Sequence, residues 1–163
     1  MRIVKRILMV VAALLVVLQF IRPGKNSSEA NPKYDIINYF HPPMQVEKIL
    51  HTSCYDCHSN VTRYPWYAEV QPIGWWLTGH IKDAQRELNF SDFGSYKPRR
   101  QYRKLEDMNT QVNEGEMPLP SYLIIHTDAR LSQEQMDLFV GWVNSMRDTM
   151  KANYPLDSLV RRQ

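Results

Sequence analysis

The chain has 163 residues, enough for one compact domain with appendages. Its formal charge of +3 comes from the N-terminus: the first 25 residues hold Arg2, Lys5, Arg6, Arg22 and Lys25 and no acidic residue, leaving 15 basic against 17 acidic side chains beyond them. That near-neutral remainder gives no support to nucleic-acid binding, and two cysteines exclude a four-cysteine zinc site.

Met1 to Arg6 is basic and Ile7 to Ile21 is apolar apart from Gln19, the order of an export signal. Ile7 to Ile21 alone falls short of the roughly 20 residues that span a bilayer. Ile3 and Val4, with Lys5 and Arg6 snorkelling to the headgroups, bring it close. No A-x-A cleavage pattern follows, so residues 1–22 read as an uncleaved single-pass anchor in the inner (cytoplasmic) membrane. The N-terminus is then inside and the rest faces the periplasm. The alternative is a cleaved signal peptide and release into the periplasm. Residues 23–40, opening on the polar PGKNSSEANP, read as a flexible tether, 41–150 as the globular domain and 151–163 as a polar tail prone to fray.

Within the domain, Val46, Ile49 and Leu50 share a face of a short helix that leads into Cys54. An aromatic loop, Tyr64-Pro65-Trp66-Tyr67 to Pro72, precedes a helix over Ile73–Leu88. The apolar side of that helix runs Ile73, Trp76, Leu77, His80, Ile81, Ala84 and Leu88. Ser91 to Lys97 reads as a turn, and Arg99 to Val112 as a weaker helix through Tyr102, Leu105 and Met108. GEMPLP, residues 115–120, breaks regular structure. The last helix starts at Ser132, with Glu134 and Gln135 in its first turn, and its stripe is Met136, Phe139, Val140, Val143 and Met146 beside Trp142. With no alternating strand pattern and no repeat, the fold class is all-α.

Cys54 and Cys57 stand three apart and His58 follows at once, the spacing for covalent attachment of a c-type haem. Each thiolate can bond one haem vinyl group, and His58 can offer an imidazole nitrogen to the iron. The rival is a redox disulfide of the thioredoxin kind. It requires a strand before the motif and leaves His58 unexplained. The cofactor expected is one covalently bound haem c.

Met117 sits in the Pro-flanked GEMPLP loop rather than on a helical stripe, which makes its soft thioether the preferred sixth ligand. His80, on the apolar face of its helix, is either bonded to a carbonyl or propionate or is itself that ligand. Tyr64, Trp66, Tyr67, Trp75 and Trp76 could wall the pocket, and the Pro72 carbonyl could orient the His58 ring. Arg99, Arg100, Arg103 and Lys104 read as a solvated face rather than as propionate partners. His41 and His51 are expected to be exposed, and His126 to be a loop or capping residue.

CYDCHSNVTRYPWYAEVQPIGWWLTGHIKDAQRELNFSDF, followed by GEMPLPSYLIIHTDARLS and a helix, resembles the small bacterial haem-binding domain proteins related to class I cytochromes c. The resemblance covers about His41 to Met146. It implies covalent haem at Cys54 and Cys57, His58 as proximal ligand and, by similarity with class I cytochromes, Met117 as distal ligand. It also implies a helix carrying the haem motif that crosses the C-terminal helix, here Val46–Cys54 with Ser132–Met146. The function expected is a membrane-anchored, monohaem electron carrier rather than an enzyme, docking an unidentified redox partner protein and no nucleic acid. Alternatives are a haem-based sensor or small peroxidase-like enzyme with a displaceable sixth ligand, and a CxxC thiol oxidoreductase without haem.

Overall fold

The computed structural model describes residues 1–160, and among them the fold is helical, with one isolated bridge between Ser27 and Val61. Eight α-helices run in chain order: α1 (Arg2–Leu18), α2 (Ile36–Phe40), α3 (Met44–Ser53), α4 (Tyr55–His58), α5 (Ile73–Glu87), α6 (Pro98–Asn113), α7 (Gln133–Asn153) and α8 (Leu156–Leu159). The sequence signals explain most boundaries. Asp35 caps α2 by accepting from the Ile37 amide, Pro98 opens α6 where its missing N–H costs nothing, and Ser132 and Gln135 close a reciprocal capping box on α7.

Two apolar clusters hold the domain. In the larger one, α6 and α3 pack on α7, around Leu50, Phe90, Phe93, Leu105, Phe139 and Val143. In the smaller one, Tyr67, Leu77 and Ile81 join the 66–69 turn to α5, which also packs on α4. Cys54 packs against the first cluster and Cys57 against the second, so the motif spans their seam. Where α5 meets the 66–69 turn Gly74 is required: a Cβ there would collide with the Ala68 carbonyl oxygen.

Several expectations are corrected. On α5 the core face is Gly74, Leu77, Thr78 and Ile81, while Ile73 and Trp76 stay exposed. The reason is that α5 packs on short elements along one narrow edge, and its other apolar edge borders cavities. The polar tail is not loose over its described part. α7 continues to Asn153 with Met150 buried, and Leu159 of α8 is 2 % exposed in the main core. Residues 161–163 lie outside the described residues. Ile36 is also fully buried, so core packing begins before His41.

Helix α1 has no buried residue, and its 17 residues reach about 25 Å at 1.5 Å each, against a hydrocarbon core of about 30 Å. Among the described residues no helix is long and apolar enough to cross a membrane. The stretch after it, read as a tether, is laid along the domain through Ser28. The Gln71 amide donates to Gln19 Oε1 at 2.9 Å, Gln19 Nε2 donates to the Gln71 carbonyl at 3.1 Å, and Trp75 Nε1 donates to the Ile21 carbonyl at 2.8 Å. Arg22 and Lys25 both pair with Glu69, and the Asn26 amide donates to Tyr64 Oη at 2.7 Å. The Ser28 amide donates to the Asn60 carbonyl at 3.1 Å.

Candidate functional site

The Cys54 carbonyl accepts from the amides of Cys57 and His58 at 3.2 and 3.0 Å, which folds the motif into one turn at the end of α3. Both cysteines are free thiols and are partly exposed. Burial first, then the neighbouring Cys57, pushes the Cys54 thiol up to about 12; burial and then Asp56 push Cys57 up to about 11. Both are therefore protonated at neutral pH, the opposite of the depressed thiols that drive disulfide exchange.

His58 Nδ1 sits 2.9 Å from the Leu88 carbonyl and donates to it in the Nδ1–H tautomer. Burial lowers its pKa despite the raising effect of the Leu88 and Ala84 carbonyls, so the imidazole is neutral with its lone pair on Nε2. That is the form a metal takes as ligand. The expected orienting group was Pro72, and this is corrected. Pro72 heads α5, where its carbonyl accepts from the amides of Trp75 and Trp76, while Leu88 follows the last turn with a carbonyl the helix leaves unused.

Three adjoining cavities surround the motif. The first, about 240 Å³, is lined by Cys54, Cys57, His58, His80, Met117 and Leu119, among others. The second, about 390 Å³, shares Cys54, His58 and Met117 and adds Phe90, Lys104 and Phe139. The third, about 210 Å³, extends from Cys57 past Tyr67, Trp66, Trp76 and His80 to Ile125. Among the described residues no group of three or more His, Cys, Asp or Glu side chains could hold a metal ion by itself.

Met117 reaches this cleft because α6 ends in a closed turn. Gly115 adopts φ 73°, its amide donates to Val112, and the amides of Glu116 and Met117 donate to the Gln111 carbonyl at 3.0 and 3.1 Å. This is a Schellman arrangement, with glycine at the left-handed position. His80 borders the first and third cavities, with Nδ1 on the Trp76 carbonyl at 3.0 Å and its ring 4.2 Å from that of Trp76.

The aromatic group divides. Tyr67 is buried, Trp66 and Trp76 edge the third cavity, and Tyr64 turns away to meet Asn26. The sequence reading missed four neighbours. Tyr122 Oη donates to Asp56 at 3.0 Å, and its ring lies parallel to His126 at 4.1 Å. His126 Nε2 in turn sits 2.8 Å from Tyr67 Oη. His126 thus ties two loops together across the cleft wall. Lys104, read as solvated, is 7 % exposed, with Nζ 3.3 Å from Glu87 and 3.0 Å from Asp107. Among these only Asp56, inside the motif, had a positional signal.

Two thiols, a neutral imidazole and a thioether converge on one cleft walled by Phe90, Leu119 and Phe139, and this donor set fits a haem. The model of the haem-binding domain family matches residues 13–145. The chain belongs to the haem-binding domain family. No curated protein and no solved structure matches it. The match begins within α1 and covers every residue that lines the three cavities. Haem is accordingly the cofactor of this haem-binding domain, and Cys54, Cys57, His58 and Met117 all fall within the matched stretch.

Proposed function

We propose that this haem-binding domain carries one haem c, bound through thioethers at Cys54 and Cys57, and passes single electrons to and from a partner protein. The observation that carries the reading is that Cys54, Cys57, His58 and Met117 line one cavity. Bound there, a haem supplies an iron that exchanges one electron at a time. The residues around it do the rest. Leu88 holds the His58 ring through Nδ1, leaving Nε2 for the iron, and the Gln111 carbonyl holds the Met117 backbone, so neither ligand has to be ordered anew. Met117 would hold the iron opposite His58 through a soft thioether, which would favour the reduced state. Phe90, Phe139 and Leu119 keep water from the site.

Ligation by His80 in place of Met117 is the second reading, favoured by its position at the first cavity. Met117 is preferred because it borders both cavities that His58 borders, whereas His80 borders one of them. The thiol oxidoreductase reading is disfavoured by the raised pKa values of both cysteines.

We further propose that α1, too short to cross a bilayer as a helix alone, does so together with the turn that follows it and holds the domain at the inner membrane, with Arg2, Lys5 and Arg6 on the cytoplasmic side and the cleft in the periplasm. Its length is extended by a tight turn in which the amides of Phe20 and Ile21 donate to Val17 and Leu18. The test is to express the chain with a c-type maturation system and denature it. Haem that stays with the polypeptide through acidified solvent supports attachment, and loss of that retention in Cys54→Ser and Cys57→Ser assigns the bonds. Complete extraction from the unaltered protein would overturn the reading.

A further inference from the structure

The third cavity opens on an apolar surface. Trp66, Ile73, Trp76 and Ile125 all line it and all are exposed, Trp66 at 77 %, and Ile124 beside them is equally bare at 77 %. Large apolar side chains gathered at one rim mark an interaction surface rather than scattered exposure. We infer that this rim is a lipid-facing surface, lying in the headgroup and upper acyl region of the same bilayer that receives α1. The inference rests on the membrane reading of α1 given above.

Two observations select a bilayer over a protein partner. The first is continuity. Gln19 and Ile21, at the end of α1, are hydrogen-bonded to Gln71 and Trp75, which flank Ile73 and lie next to Trp76. The patch therefore begins within one helical turn of the point where the apolar helix joins the domain. The second is that Ile7 to Leu18 is apolar on every face and exposed along nearly its whole length. A protein partner would cover one side of such a helix, whereas a bilayer covers all of them. Indole rings with an apolar body and one N–H suit the interfacial layer. The nearby cations Arg22 and Lys25 are already paired with Glu69, so contact is apolar in origin and does not require anionic lipid. The third cavity, with Cys57 at its inner end, would then open toward lipid rather than toward bulk water.

The experiment uses the full-length holoprotein in phosphatidylcholine vesicles carrying a carbene-generating lipid, with adducts mapped by peptide mass spectrometry. The exposed α6 peptide around Arg99, Arg100 and Arg103 serves as the water-facing reference. The expected result is labelling of the 66–76 and 121–126 peptides at least fivefold above that reference, together with labelling of α1. The double variant Trp66→Ser/Ile124→Ser, both positions 77 % exposed, should lower labelling of these peptides severalfold and leave α1 labelling unchanged. Labelling of α1 with the patch at the reference level overturns this inference and leaves the anchor standing. Labelling of the patch without α1 supports the surface and overturns the anchor. Labelling of neither overturns both.

Discussion

The amide of Met117 donates to the carbonyl of Gln111 at 3.1 Å, six residues back and still inside α6. The candidate ligand is thus fixed to a helix end rather than carried on a free loop. The turn depends on Gly115, whose φ of 73° a branched side chain resists. Gly115→Val should therefore cost about 1–2 kcal/mol in denaturant unfolding, while Gly115→Asn, which tolerates the left-handed region, costs less. An equal loss for both variants would mean that side-chain contacts, and not backbone conformation, set the turn.

If Met117 is the sixth ligand, Met117→Ala should remove the methionine-to-iron band of the ferric spectrum, lower the midpoint potential and admit carbon monoxide to the reduced protein. His80→Ala should leave all three unchanged, because His80 borders only one of the two cavities that His58 borders. Spectra of both variants in both redox states make the comparison, and the reverse pattern assigns the ligand to His80. Stability should fall less for Met117→Ala than the ~2–5 kcal/mol of a fully buried methionine, since Met117 is only partly buried.

The sequence made local features visible and hid those that depend on distant chain. The Cys54–His58 spacing, the stripe of Phe139 and Val143 and the Ser132 cap are all set within a few residues, and each is found where its pattern places it. Sequence points to the Pro72 carbonyl for His58, whereas the Leu88 carbonyl meets it, because which helix end has a carbonyl to spare depends on how α5 sits against α4. Lys104 belongs to the basic run Arg99, Arg100, Arg103 and Lys104, whose three arginines are exposed, and the approach of Glu87 from α5 helps to enclose it. Tyr67, His126 and Tyr122 form a wall from two loops that no periodicity connects.

Tyr122→Phe tests that wall. It removes one donor from Asp56, whose side chain is 13 % exposed and keeps only the Arg63 bond at 3.1 Å on its carboxylate. A poorly hydrated carboxylate that loses a donor should cost about 1–3 kcal/mol, read as a lower denaturation midpoint with an unchanged slope. A neutral substitution would show that water replaces the hydroxyl and that Asp56 is effectively solvated.

Lys104 separates an effect on stability from an effect on the site. Its side chain is 8 % exposed, but its partners Glu87 and Asp107 are 72 % and 46 % exposed. Lys104→Met therefore leaves no buried charge without a partner, because both carboxylates can return to water. The stability change should stay within about 1 kcal/mol, because the carboxylate half of each pair is already solvated. The potential should respond differently. Lys104 is the one Lys or Arg among the described residues lining the three cavities, and its field reaches His58, adding to the burial that lowers the His58 pKa. A positive charge there opposes the more positive, oxidised iron, so its removal should favour the oxidised state and lower the midpoint potential. The two carboxylates reduce that field without reversing the sign of the change, because Lys104→Met makes the group more negative by one charge. Spectroelectrochemical titration should give potentials in the order Lys104→Arg near the unaltered protein, then Lys104→Met, then Lys104→Glu lowest. Identical potentials across the three would mean that Glu87 and Asp107 screen Lys104 completely and that its burial serves packing alone.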